Sequence, residues 1–236
     1  MLTLFHHPLC PHSRFVRLAL DELSLTPRLV EERTWERREE FLKLNPAGST
    51  PVLLEEGMPP VPGAGVIVEY LNETYLDDTR GGGKAVKQRL MPPDTGARVE
   101  VRRLLSWFND KFFAEVSGPI VMERVYKRYI PPTLGGGSPD TEALRAARSN
   151  IKYHLAYIGW LIRNRDWLAG ASLTFADLAA AAHLSAADYL GDVPWNEDET
   201  AKAWYARIKS RPSFRALLTD TLPGLAPSPS YADLDF

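Results

Sequence analysis

The chain has only one cysteine, Cys10, in 236 residues. That excludes an intrachain disulfide and any cysteine-built zinc site, so no metal is expected, and Cys10 is either a small buried hydrophobe or a reactive thiol. A large excess of either charge is missing too. Lys and Arg number 28 against 30 Asp and Glu, a formal net charge of −2, which gives no reason to expect nucleic acid or an anionic membrane as the main partner. No stretch approaches about 18 consecutive apolar residues, and "MLTLFHHPLC" has no basic segment ahead of a long apolar run. Neither a membrane span nor a signal peptide is expected, and the chain is expected in the cytosol. A further absence is local. In "PVPGAGVIVEYL", residues 60–71, the apolar spacing from Val66 marks a helix, yet Gly63, Ala64 and Gly65 offer no Ser, Thr, Asp or Asn to cap its first N–H groups.

What is present divides into two patterns. "LTLFHH" is a short strand, "SRFVRLALDEL" a helix with Phe15, Leu18 and Leu20 at helical spacing, and "RLVEER" a second strand. "ERREEFLKLNPAG" is a short charged helix ended by Pro46 and Gly48, and "TPVLLEEG" a strand with a hairpin tip at Gly57. The uncapped helix follows, running to about Thr74. Alternating strands and helices over the first 79 residues predict a small sheet with helices packed on it.

Glycines and prolines in "DDTRGGGKAVKQRLMPPD" mark a linker over residues 80–95. Residues 96–220 read as helical. In "SLTFADLAAAAHLSAADYL", Thr174 and Asp177 form a capping box, with Leu173 and Leu178 placed as a hydrophobic staple. Trp107, Phe108, Phe112 and Phe113 have helical spacing and read as core or dimer packing. Residues 221–236, "TLPGLAPSPSYADLDF", read as an extended tail.

An α/β unit, a linker and a helical unit in this order resemble the glutathione transferase architecture, a thioredoxin-like domain followed by an all-α domain. The motifs sharpen the likeness. "CPHSRFVRLAL" resembles a glutaredoxin-like and omega-class site with the cysteine ahead of a helix, "NPAGSTPVL" resembles the segment that ends in the fold's cis-proline, here Pro51, and "SLTFADLAAAAHL" and "WYARIKSRPSF" resemble two late helices of the second domain. The resemblance implies a glutathione site built on Cys10 and Ser13, with Pro51, Val52, Gly63 and Ala64 at the ligand-holding positions. A thiol at a helix N-terminus is favoured as thiolate, and Ser13 in place of a second cysteine leaves only monothiol chemistry. His6, His7 and His12 lie at the same end of the sheet, either tuning the thiol or facing solvent.

Relative to that pattern, Gly63 and Ala64 stand where the family carries an acidic residue and a serine for the γ-glutamyl group. Backbone N–H groups can still attract a carboxylate, but a charge-assisted hydrogen bond is worth about 1.5–3 kcal/mol, so each lost one lowers affinity roughly ten- to a hundredfold. Glutathione binding is expected to be weak or absent. A tight turn after Pro62 explains the same glycines equally well.

"HHPLCPHSRFVRLAL", "WERREEFLKLNPAG", "PVPGAGVIVEYL" and "YADLDF" together resemble a narrower group of transferase-like cell-division proteins of alphaproteobacteria. That resemblance implies a dimer without evident transferase activity that binds the tubulin homologue FtsZ at the division site; the alternative is a glutathione-dependent enzyme using Cys10. Candidate partner-binding residues are Trp35 beside Arg33, Arg37 and Arg38, the basic aromatic stretch with Arg124 and Arg128, and the tail residues Tyr231, Leu234, Asp235 and Phe236. Each has a structural alternative: Trp35 as a buried strand-end residue, the arginines as a solvated helix face, and the tail folded back on its own domain.

Overall fold

A computed structural model describes residues 1–76 and 89–234. Asp235, Phe236 and most of the expected linker therefore lie outside the described residues.

Strands β1 (Leu2–His6), β2 (Arg28–Glu31), β3 (Val52–Glu55) and β4 (Val61–Pro62) form one sheet in the order β2-β1-β3-β4. β1 runs parallel to β2 and antiparallel to β3, which in turn pairs antiparallel with β4. The parallel pair requires a crossover, supplied by α1 (Pro11–Glu22). Side chains alternate across the sheet. Leu4 is buried in the main core with Phe15 and Ile67, while its neighbour Phe5 points the other way and meets Phe41 of the short helix α2 (Glu39–Leu44) at 5.7 Å between ring centroids. The uncapped helix, α3 (Ala64–Leu71), packs beside α1.

The second half is helical: α4 (Thr95–Ser106), α5 (Gly118–Arg124), α6 (Thr141–Arg163), α7 (Phe175–Tyr189), α8 (Glu199–Lys209) and the short α9 (Arg215–Leu218). Between α4 and α5 the winding widens to π-type turns over Trp107–Ser117. Pro119 has no N–H to bond the Glu115 carbonyl one turn back, and the Asn150 side-chain amide donates to that oxygen instead, at 3.2 Å. A Cβ at Gly118 would lie 2.7 Å from the Phe113 carbonyl oxygen, so only glycine fits this close approach.

Every residue of α7 is buried. Its run of alanines lets α1, α4 and α8 approach from several sides, which is the pattern of a central helix rather than a one-sided one. The capping box is formed as the sequence indicates: the Thr174 hydroxyl accepts from the Ala176 N–H, and Asp177 accepts from the Thr174 N–H at 2.9 Å. Asp177 also accepts from the Leu168 N–H and the Trp204 indole, at 2.8 and 3.1 Å.

The two halves are joined by α1 against α7. Phe15 meets Phe175 edge-on, and buried Arg14 reaches across to Ser185 at 2.7 Å. The tail completes this contact: Tyr231 is 0% exposed, its hydroxyl accepts from Arg14 and donates to the Leu217 carbonyl at 3.0 Å, and its ring packs on Tyr189 at 5.2 Å. Through Tyr231 the tail is docked, in place of the free extended segment read from its prolines. One aromatic ring with a hydroxyl matching a buried guanidinium outweighs the local preference of the prolines for an open chain.

Candidate functional site

Cys10 is the N-cap residue of α1, with Pro11 at the first helical position, and no side chain caps the helix. The thiol lies 3.7 Å from the Thr50 carbonyl oxygen, beside the Thr50–Pro51 peptide, which is cis. His12 and Tyr126 line the same cleft as the thiol, and the Ser13 hydroxyl accepts from the His7 N–H at 3.4 Å. Burial opposes ionisation of the thiol most strongly, but the hydrogen bonds and charge of His12, followed by Ser13 and Thr50, outweigh it and bring Cys10 down to about 7. Burial likewise depresses His12, and here the thiol, the Asn109 carbonyl and Asp110 outweigh it in the other direction, so His12 is raised. The two shifts run in the same sense, each favouring the charged form of its group. His12 Nε2 is held by the Asn109 carbonyl at 2.9 Å, which fixes the ring against Cys10. His183, 5.0 Å away, is pushed well down by burial and then by His12, so it stays neutral against Ser117 and Asn109.

The other two histidines do not face solvent. His6 and His7 are buried; desolvation first, then neighbouring Arg17 for His6 and Arg33 for His7, lowers them to about 3 and about 4. Burial removes both from water, and the rings of Trp35 and Tyr126 pack against His7.

Cys10 opens onto a cleft of ≈ 540 Å³ between the halves of the molecule, with Thr50, Pro51 and the start of α3 on one wall and Leu105, Phe113 and Tyr126 on the other. Phe113, read from its spacing as core or dimer packing, instead forms part of this wall, whereas Phe108 and Phe112 are buried core. Gly63, Ala64 and Pro51 border the cleft, while Val52 is buried in β3. Gly63 sits at φ +86° with its N–H bonded to the Pro51 carbonyl at 2.9 Å. A Cβ at Gly63 or Gly65 would meet nothing within 4 Å. The oxygens missing at the α3 start therefore leave open space, and no other side chain caps the helix in their stead.

Trp35 is half-buried. It stacks on Tyr129 at 5.8 Å with the planes 9° apart and touches Tyr126 and His7 at 5.3 and 5.6 Å. Tyr129 donates to the Pro223 carbonyl at 3.0 Å, and exposed Arg128 to the Gly224 carbonyl at 3.3 Å. Trp35, Tyr129, Arg128 and the lead into the tail thus form one face. Arg124 is committed elsewhere, donating to the Leu190 carbonyl at 2.7 Å and pairing with buried Asp192. Leu234 is 42% exposed beyond the Tyr231 anchor. Sequence reasoning passed over Asn109 and took Tyr126 and Tyr129 only as part of the basic aromatic stretch, although "VYKRY" places both tyrosines three apart, the spacing that puts Tyr126 on the cleft and Tyr129 against Trp35.

The family model described as the glutathione S-transferase N-terminal domain matches residues 4–79, and that of the C-terminal domain matches residues 100–212. The chain is 45% identical to FtsZ-localized protein A of Caulobacter vibrioides over 237 aligned positions, covering 99% of this chain and 98% of that protein. Among solved structures it is similar to a glutathione S-transferase from Sinorhizobium meliloti, with 48% identity, TM-score 0.94 and 100% of both chains covered. It is also similar to FzlA from C. crescentus, with 45% identity, TM-score 0.89, and coverage of 100% of this chain and 99% of the other. Among the described residues no helix is long and apolar enough to cross a membrane, and no group of side chains could hold a metal ion.

Proposed function

Because this chain belongs to the glutathione S-transferase family and matches an FtsZ-localized member end to end, we propose that it binds FtsZ and regulates its filaments in cell division, without catalysis. The observation that carries this reading is the full-length match, tail included, to a protein named for its FtsZ localization. The geometry supports it in two ways. The start of α3 lacks the oxygens of a γ-glutamyl site, and Trp35, Tyr129 and Arg128 border the tail lead as an aromatic and cationic face suited to a protein partner.

The working unit is a homodimer. Val66 on α3 and Val99 on α4 are 59% and 61% exposed, and one turn further along each helix Glu69 and Arg102 pair at 2.7 Å, so both valines lie on one apolar strip. Two copies joined there carry two faces and two tails, and such a particle aligns filaments by avidity. Co-sedimentation with FtsZ filaments tests the reading: the intact chain pellets with filaments, a chain ending at Tyr231 pellets less, and failure of the intact chain to pellet overturns it.

The arrangement of Cys10, His12 and Tyr126 favours a second reading, a glutathione-dependent thiol enzyme. Calorimetric titration separates the two. Micromolar glutathione binding together with thiol transfer lost in Cys10→Ala would place the enzyme first.

A further inference from the structure

Helix α6 exposes an aromatic surface that the FtsZ reading does not use. Tyr153 and Trp160 are 60% and 55% exposed, and Tyr157 stacks on Trp160 with the planes 11° apart. Trp107, from the wide-turn segment, supports it, with ring centroids 4.5 Å from Tyr157 and 6.3 Å from Tyr153. Trp107 in turn is held by His154, which is 0% exposed and bonded at both ring nitrogens. An indole nitrogen can only donate, so the Trp107 N–H, at 3.1 Å, fixes Nδ1 as an acceptor; the ring's proton then sits on Nε2, which donates to Glu115 at 2.9 Å. A second proton has no place in this arrangement, because it would set two N–H donors against each other at 3.1 Å. Glu115 and Lys111, both on the wide-turn segment and paired with each other, are the charged groups that act on His154. Helix α6 itself adds Tyr153, and toward α7 His154 packs on Phe112, which also meets the neutral His183.

We propose that His154 is an acid-operated latch: its protonation at Nδ1 expels the Trp107 indole from its hydrogen bond, and the aromatic surface of α6 shifts with it. The Nε2–H bond to Glu115 becomes an ion pair, which keeps the imidazole in place while Trp107 moves. Trp107 is half-buried, so its freed N–H has solvent to turn to. Burial disfavours the charged ring first; Glu115 offsets part of that and Lys111 adds to it, leaving His154 below 6.5. The latch is therefore closed at neutral pH and opens as the pH falls.

NMR of the indole N–H and imidazole C–H groups in the full-length protein, between about pH 8 and about pH 5, tests this. Trp107→Phe assigns the Trp107 N–H by its loss. In the parent, the Trp107 and Trp160 signals are expected to move together at the pH where His154 charges, and exchange of the Trp107 N–H with water to speed up at least about tenfold. In His154→Asn, checked for native circular dichroism, the amide oxygen can still accept from the indole, and both signals are expected to stay fixed. Trp107→Phe frees Nδ1, so its His154 is expected to titrate about half a pH unit or more higher, the equivalent of one neutral hydrogen bond. Glu115→Gln keeps an acceptor for Nε2 but removes the charge, and its His154 is expected to titrate lower. A Trp107 or Trp160 signal that ignores the titration of His154, the same pH response in His154→Asn, an unchanged His154 midpoint in Trp107→Phe, or unfolding before His154 charges overturns the proposal.

Discussion

Replacing Tyr231 by phenylalanine removes one oxygen and leaves the ring, so it isolates what the docked tail does for the fold. Arg14 is 0% exposed and satisfies its guanidinium with Ser185, the Pro8 carbonyl, Asp220, the Leu217 carbonyl and the Tyr231 hydroxyl. Without that hydroxyl, Nη2 keeps only a 3.3 Å contact to Leu217, whose carbonyl also loses its 3.0 Å bond from the phenol. A hydrogen bond to a buried charged group is worth about 1.5–3 kcal/mol, so the loss is about 2 kcal/mol. For a chain of this length that lowers Tm by about 4–8 °C. Urea denaturation followed by tryptophan fluorescence, with a parallel thermal scan, measures it. A chain ending at Tyr231 is the control, because it keeps the anchor and is expected to match the intact chain within about 0.5 kcal/mol. If Tyr231→Phe is as stable as the parent, the tail does not brace Arg14 and the docking described above is wrong.

Three further outcomes are expected. Thr174→Ala removes the N-cap hydroxyl of the central helix and is expected to cost about 1 kcal/mol in urea denaturation, since Asp177 still holds the Thr174 N–H. His6, lowered from 6.5 to about 3, binds its proton more weakly in the folded than in the unfolded chain, so stability is full above pH 6.5 and falls as the pH drops toward 3. At pH 5 that amounts to about 2 kcal/mol, and His6→Gln is expected to shrink the stability difference between pH 7 and pH 5 by that much in paired urea titrations. Val66→Asp, with Val99→Asp as the companion variant, is expected to convert dimer to monomer in light scattering without loss of helix; an unchanged mass would remove the α3–α4 face from the interface.

Local physics made much of this fold legible. The period of two in β1, the helical spacing after Cys10, the glycine turn at Gly57 and the Thr174–Asp177 capping box are all set by neighbours a few residues apart, and each appears where its spacing places it. What stayed hidden depends on contacts distant in sequence. Nothing within a few residues of Arg14 or Tyr231 reveals that they meet, 217 positions apart. His7 is covered by Trp35 and Tyr126, the latter more than a hundred residues away, and the wide turns over 107–117 involve Pro119 and a side chain on α6. At the cleft, the sequence announced Cys10 and the bare start of α3, but the pairing of His12 with Asn109 and the approach of Tyr126 arise only when the helical half closes over the sheet.

The most direct measurement is the affinity of the purified chain for assembled FtsZ, by quantitative co-sedimentation, alongside Trp35→Ala and Arg128→Glu. Trp35 stands at the centre of the proposed face, and Arg128 is exposed at its edge with one 3.3 Å contact to Gly224. Loss of a central aromatic anchor costs about 2 kcal/mol or more, so Trp35→Ala is expected to weaken binding at least about thirtyfold. Arg128→Glu is expected to weaken it less and to leave the fold unchanged by circular dichroism. Parent and both variants binding FtsZ equally would contradict the assignment of this face, and no binding by the parent would contradict FtsZ association itself.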